Sequence, residues 1–312
     1  MTAARYRPSR RAVLAGSLGL AAVAATGAGG YELVQDGTLP GRYRLARLTG
    51  ACELAPGPLA GPLPSRHQVS FHSAYRHRDV QMVTLIPAAA ASPAGLGVVI
   101  ALHGSGGSPA TLALGMARAM SRAQLTRFAI ICVDGGETYW HKRADGDDPA
   151  GMIVHEVLPR AAAAGMHTGR IGLAGLSMGG YGALLIAEQL SIGGAAGGAP
   201  AVAAVAALSP AVFASYDDAR AANPGAFDSP ADFTANDVVS GLVTLRHVPA
   251  FIACGTDDPF RPEVALVRSR LSALAHHPVP GGIMPGCHDS SFWARHWPAA
   301  LEFVAAHQSG GF

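Results

Sequence analysis

The chain has 312 residues, of which 49% are hydrophobic, enough for a substantial core and too many for a disordered protein. Lys+Arg number 23 against 21 Asp+Glu, but residues 1–30 carry four of the arginines and no acid, and without these four Lys+Arg falls from 23 to 19 against 21 acids. The basic excess belongs to the N-terminus and excludes a nucleic-acid surface on the remainder, which also lacks Lys/Arg runs and internal repeats.

Ser9-Arg10-Arg11-Ala12-Val13-Leu14 reads as a twin-arginine signal, followed by an uncharged, Ala- and Gly-rich stretch from Ala12 to Tyr31. That stretch is a poor membrane span. Cleavage between Ala24 and Gly30 is expected, leaving no stable span, with an uncleaved anchor as the alternative. The expected partner is the twin-arginine export machinery, and the expected location is secreted or periplasmic, in the cell envelope. Residues 1–30 are then a signal peptide and 66–312 one large domain, with 31–65 a Pro- and Gly-rich extension packed on it.

From there the chain alternates strands and helices. Gln68–Ser73 and Val80–Ile86 predict an antiparallel hairpin at a sheet edge, closed off by Pro87. Leu96–Leu102 is continuously apolar, as in a parallel strand buried on both faces. It runs into His103-Gly104-Ser105-Gly106-Gly107 and a helix over Thr111–Arg122. A strand at Phe128–Val133 leads into a loop from Asp134 to His141, and a helix covers Gly151–Ala164. Ile171–Ala174 enters Gly175-Leu176-Ser177-Met178-Gly179, and an Ala- and Leu-rich helix leaves it. A strand over Val202–Leu208 precedes a polar segment, 214–246, that reads as helices or a small cap over the sheet's carboxyl edge. Val248–Cys254 is a strand ending in Gly255-Thr256-Asp257-Asp258, then a helix covers Glu263–His276. A short segment at Gly282–Met284 precedes Gly286-Cys287-His288, and Ser291–Gln308 closes the chain as a helix. This order predicts an open, mostly parallel α/β sheet with helices on both faces, whose ligands sit at the strands' carboxyl ends.

Strand, Gly-x-Ser-x-Gly, helix is the pattern of a nucleophile elbow, which would expose the Ser177 hydroxyl above the sheet. A serine needs a general base, and the base needs an acid. Among the downstream histidines only His288 lies in a Gly-flanked loop after a predicted strand. Asp257 and Asp258 alone among the acids directly follow an apolar strand, and Asp258 is preferred. The Met178 N–H is free to bind an oxyanion, and the second donor is expected from Ser105, with Gly104 as the alternative. His103 reads as structural because it precedes Ser177. Tyr139, Trp140, Phe292 and Trp293 are expected to line an acyl or alcohol pocket, with core packing as the alternative. Asp145, Asp147 and Asp148 lack the spacing of a calcium loop and read as a turn. Cys132 and Cys254 read as buried strand thiols; Cys52 and Cys287 lie in loop-like sequence, where either a disulfide formed after export or two free thiols fits.

Leu102-His103-Gly104, Gly175 to Gly180, Gly255 to Asp258, and Gly286 to His288 with Phe292-Trp293 together resemble the α/β-hydrolase superfamily. Within it, they resemble the esterase group that includes esterase D, feruloyl esterases and secreted mycolyltransferases. The resemblance implies an α/β-hydrolase fold and a serine esterase acting on small-molecule, lipid or carbohydrate esters, with no cofactor and no metal. Two other readings stay open: an acyltransferase with the same triad, and a non-catalytic binding module that kept the fold.

Overall fold

The computed structural model describes Leu48, Cys52, residues 55–193 and residues 199–308; apart from Leu48 these belong to one unit, Cys52–Phe312. The signal-peptide reading, its cleavage region and most of residues 31–54 lie outside the described residues.

One eight-stranded sheet organises the unit, in the order β1-β2-β4-β3-β5-β6-β7-β8. The predicted edge hairpin is β1 (Ser65–Ser73) with β2 (Arg78–Ile86), antiparallel to each other, and β2 is antiparallel to β4 (Phe128–Val133). All other neighbours are parallel: β3 (Gly97–Leu102), β5 (His167–Leu176), β6 (Ala201–Leu208), β7 (Ala250–Gly255) and β8 (Gly281–Met284). Every residue of β3, β4 and β7 is buried, which is why these strands read as unbroken apolar runs.

Two cores sandwich the sheet. On one face, α1 (Pro109–Arg122) and α9 (Ser290–Gln308) bury Leu112, Met116, Phe292, Trp297 and Leu301. The other face is covered by α4 (Met178–Gly193), α8 (Arg261–Ala275) and shorter helices, packed through Leu184, Val264 and a cluster of aromatic rings. Helix α1 begins at Pro109, two positions before the sequence reading, because Ser108 caps it: Ser108 Oγ accepts from the Thr111 N–H (3.2 Å) and Thr111 Oγ1 accepts from the Ser108 N–H (3.0 Å).

The helix expected over Gly151–Ala164 is not continuous. Its two α-helical pieces, α2 (Pro149–Met152) and α3 (Leu158–Ala163), flank a π turn at Ile153–Val157. Pro159 lacks the N–H that an unbroken α-helix would use there, so the ladder widens just before it. The polar segment after β6 is helical as expected: α5 (Tyr216–Ala222), α6 (Pro230–Ala235), α7 (Val238–Gly241) and a 3₁₀ turn (Leu242–Leu245). It is fastened to the loop after β4. Arg143 pairs with Asp228 (2.6 Å) and donates to Ala226 O (2.6 Å), while His141 stacks on Phe227. The neighbouring acidic turn is a structural tie, since Asp147 is buried and pairs with Arg76 and Arg78.

Residues 55–64 have no regular structure and run along α1 and the start of α9. Side chains of the helices and of the turn after α1 hold their carbonyls: Arg122 Nε donates to Gly57 O (2.5 Å), Gln124 Nε2 to Ala60 O (3.1 Å) and Arg295 Nη1 to Ala55 O (3.1 Å). Among the described residues no helix is long and apolar enough to cross a membrane.

Candidate active site

The elbow forms between β5 and α4. Ser177 has φ +53°, the left-handed region that costs a non-glycine residue energy and is kept only where its surroundings impose it. Here they do. Its N–H donates to Leu208 O (2.9 Å), and its carbonyl accepts from Tyr181 N (3.0 Å) and Ala211 N (3.0 Å). Both flanking glycines are obligatory by space: a Cβ on Gly175 would lie 1.9 Å from Gly179 O, and one on Gly179 would lie 2.0 Å from Leu102 O.

Loops after three different strands then bring the expected side chains together. Ser177 Oγ–H donates to His288 Nε2 (2.9 Å), and His288 Nδ1–H donates to Asp258 Oδ2 (2.9 Å). The carboxylate can only accept, which assigns the proton to Nδ1 and leaves Nε2 as the acceptor facing serine. Asp258 is 4% exposed. Burial alone would raise its carboxyl pKa. The hydrogen bond and charge of His288, with the Phe260 N–H donating to Oδ1 (2.9 Å), outweigh burial and hold it below the ordinary carboxylate range. Asp257 is half-buried, accepts from the Thr256 hydroxyl (2.9 Å) and gives its own N–H to Gly286 O (2.9 Å). The rings of Phe260 and Trp293 meet the imidazole edge-on at 5.1 and 5.2 Å.

Met178 opens α4, where the first amides of a helix lack intrahelical partners. Ser105 lies in the loop after β3, and its N–H has no partner among the described residues. His103 does what its position in the chain predicted. Its Nδ1–H donates to Gly104 O (2.8 Å) and its Nε2 accepts from Gly135 N (3.1 Å), so it ties the loops after β3 and β4 together.

A residue the sequence reading left without a role completes that tie. The Glu137 carboxylate accepts from Ser105 Oγ (2.5 Å) and from Gly106 N (2.6 Å), fixing the glycine-rich loop. The available signal was its place: an acid in a glycine-flanked loop at the carboxyl end of the strand next to β3.

Ser177 and His288 open onto a cavity of about 760 Å³, lined among others by Tyr139, Glu137, Asn223, Phe260 and Trp293. Trp140, expected to line it, does not. It is fully buried, its indole N–H donates to His103 O (3.3 Å), and its ring fills a slot left by two glycines, Gly135 and Gly182, where an added Cβ would lie 2.5 and 2.4 Å from the indole. Phe292 is likewise core.

Cys52 and Cys287 form a disulfide, while Cys132 and Cys254 are buried free thiols. The bridge sits one residue before His288, and Ser291 Oγ beyond it donates to Cys52 O (2.7 Å). The closed loop spans 235 residues, for which the chain-entropy account gives about 2–5 kcal/mol of stability. Cys52→Ser is therefore expected to lower Tm by roughly 5–15 °C. It is also expected to lower kcat, because the His288 loop loses an anchor. Calorimetry and ester hydrolysis check this; kcat unchanged at a lowered Tm would separate the bridge from the base.

The fold is that of the α/β-hydrolases: a mostly parallel eight-stranded sheet, covered on both faces, with the serine at a strand–helix elbow. Among solved structures, the chain is similar to an S-formylglutathione hydrolase from Agrobacterium tumefaciens, at 15% identity and TM-score 0.62, covering 82% of this chain and 99% of that one. It is also similar to the substrate-bound fluorophosphonate-binding serine hydrolase F of Staphylococcus aureus, at 19% identity and TM-score 0.61, covering 78% and 99%. A ferulic acid esterase matches at 20% identity and TM-score 0.62, covering 78% and 98%. No family model and no curated protein matches the sequence.

Proposed function

We propose that this chain is an exported serine esterase that hydrolyses carboxylic esters through an acyl-enzyme. The observation that carries the reading is the hydrogen-bonded chain from Ser177 through His288 to Asp258, opening onto a cavity from a serine held in a left-handed elbow.

In this reading Ser177 Oγ attacks the ester carbonyl while His288 Nε2 takes its proton. Asp258 keeps the imidazole in the right tautomer and stabilises the imidazolium. The Met178 and Ser105 amides hold the oxyanion, and Glu137 keeps the Ser105 loop in place. As the carbonyl re-forms, the ester C–O bond breaks and His288 returns the proton to the departing alcohol. Water then repeats the sequence on the acyl-serine, giving up its proton to His288, and releases the acid. The nucleophile, acid, base and oxyanion donors all come from the chain itself.

The export reading rests on Ser9-Arg10-Arg11-Ala12-Val13-Leu14 and is supported by the Cys52–Cys287 disulfide, since such bonds persist in oxidising compartments. Labelling fractionated cells with a fluorophosphonate tests both parts. The expected result is a single adduct on Ser177, outside the cytoplasm in the native protein and retained inside when Arg10 and Arg11 are both replaced by lysine. An adduct on another residue overturns the mechanism, and unchanged location of the double variant overturns the export route.

A further inference from the structure

The cavity that holds Ser177 extends between α1 and α9. Thr111 and Gly115 from α1 and Trp293 and Trp297 from α9 line this arm, with Leu112 and Leu176 beside them. Residues four apart share one face of a helix, so each pair forms a stripe one turn long, about 6 Å at 1.5 Å per residue. The arm's hydroxyls, Thr111 and Ser290, lie at the helix starts, whereas the charged and amide lining comes from elsewhere: Glu137 from the loop after β4, and Asn223 from the end of α5.

Gly115 is the informative residue. It sits in the interior of a 14-residue helix, where glycine is the poorest choice but proline. Several glycines at the site exist because backbone or a ring crowds them, as at Gly135, Gly179 and Gly182. Gly115 does not: a Cβ built there meets nothing within 4 Å. No neighbour requires the missing side chain. What its absence creates is room in the arm.

We propose that the α1–α9 arm is the acyl subsite, that the substrates are esters of linear aliphatic acids, and that Gly115 sets the chain length accepted. This rests on Ser177 being the nucleophile. The acyl group stays bonded to the serine through both halves of the reaction, so it belongs in the apolar arm. The alcohol must leave and water must enter, and these pass the polar lining at Glu137 and Asn223.

The test is a series of p-nitrophenyl esters from acetate to decanoate, run on the native protein and on Gly115→Leu and Gly115→Ala. In the native protein kcat/KM is expected to rise roughly fourfold per methylene over the first few carbons, the amount that burying one methylene supplies. In Gly115→Leu the octanoate-to-acetate ratio is expected to fall by about 10²-fold, with a smaller fall in Gly115→Ala. Tm in both is expected to be equal or higher, because leucine and alanine are better helix formers than glycine. An unchanged ratio in both variants overturns the proposal. So does a fall confined to a parallel series of alkyl acetates, which would place the alcohol in the arm. Failure of the nucleophile reading looks different, since neither native protein nor variants would then hydrolyse acetate or bind fluorophosphonate.

Discussion

Ser177→Ala is expected to lower kcat for ester hydrolysis by about 10⁴–10⁶ and to abolish fluorophosphonate labelling, while the fold and Tm persist. The size follows from what the hydroxyl does. It is the atom that becomes acylated, and of the described cavity's hydroxyls it alone is hydrogen-bonded to His288, while those of Ser105 and Thr111 are engaged by Glu137 and by the Ser108 cap. The fold persists because the elbow is held by backbone bonds and by Gly175 and Gly179, none of which uses the serine side chain. Alanine must adopt the same φ of +53°, which costs it about what it costs serine. His288 Nε2 loses its donor but faces the cavity, where water reaches it. Circular dichroism and calorimetry check the fold, and a p-nitrophenyl ester checks the rate. Labelling that persisted in the variant would move the nucleophile to another residue.

Much of this site was legible beforehand because a parallel sheet writes its strands as apolar runs and collects its functional loops at their carboxyl ends. Ser177 and Asp258 each follow such a run, so locating the strands nearly located them; His288 follows the short, partly exposed β8 and is marked instead by its Gly-flanked loop. For the Cys52–Cys287 bridge exclusion named only the candidate pair, since Cys132 and Cys254 fall inside strands and are buried there; that the pair is bonded rather than free is seen only in the fold. Trp140 was not legible. Tyr139 and Trp140 are adjacent in one loop, yet one lines the cavity and the other is core; the difference lies in the slot that Gly135 and Gly182 open, 47 positions apart in sequence (182 less 135). Glu137 was missed for a related reason. Its partners are backbone and hydroxyl groups of the 104–107 loop, and a lone acid in a polar loop reads no differently from a solvated one. The π turn before Pro159 shows the same limit at element scale, because a 3.6-residue pattern interrupted for one turn still reads as a helix.

Asp258→Asn is expected to lower kcat by roughly 10⁴, and Asp257→Asn by less than about tenfold. The two residues are neighbours at the end of β7, but only Asp258 faces the imidazole, at 2.9 Å, and only it is nearly sealed from solvent. An asparagine there can present its N–H₂ to Nδ1, which then must accept. The imidazole proton moves to Nε2, and the atom facing Ser177 becomes a donor that cannot take the hydroxyl proton. The imidazolium formed during attack also loses its counter-charge. The pH dependence follows from the low pKa of the Asp258 carboxyl. A carboxyl held below its ordinary value contributes stability above its unfolded pKa of about 3.9, and loses it as the pH falls through the folded value. Asp258 is therefore ionised throughout the range from pH 5 to 8, and the deficit of the variant is expected to stay large across that range rather than close at its acid end. At Asp257 the side chain accepts from Thr256 and its N–H holds Gly286, and asparagine preserves both bonds. Rate profiles of the two variants from pH 5 to 8 decide the assignment, and the reverse ranking would give Asp257 the role of orienting His288.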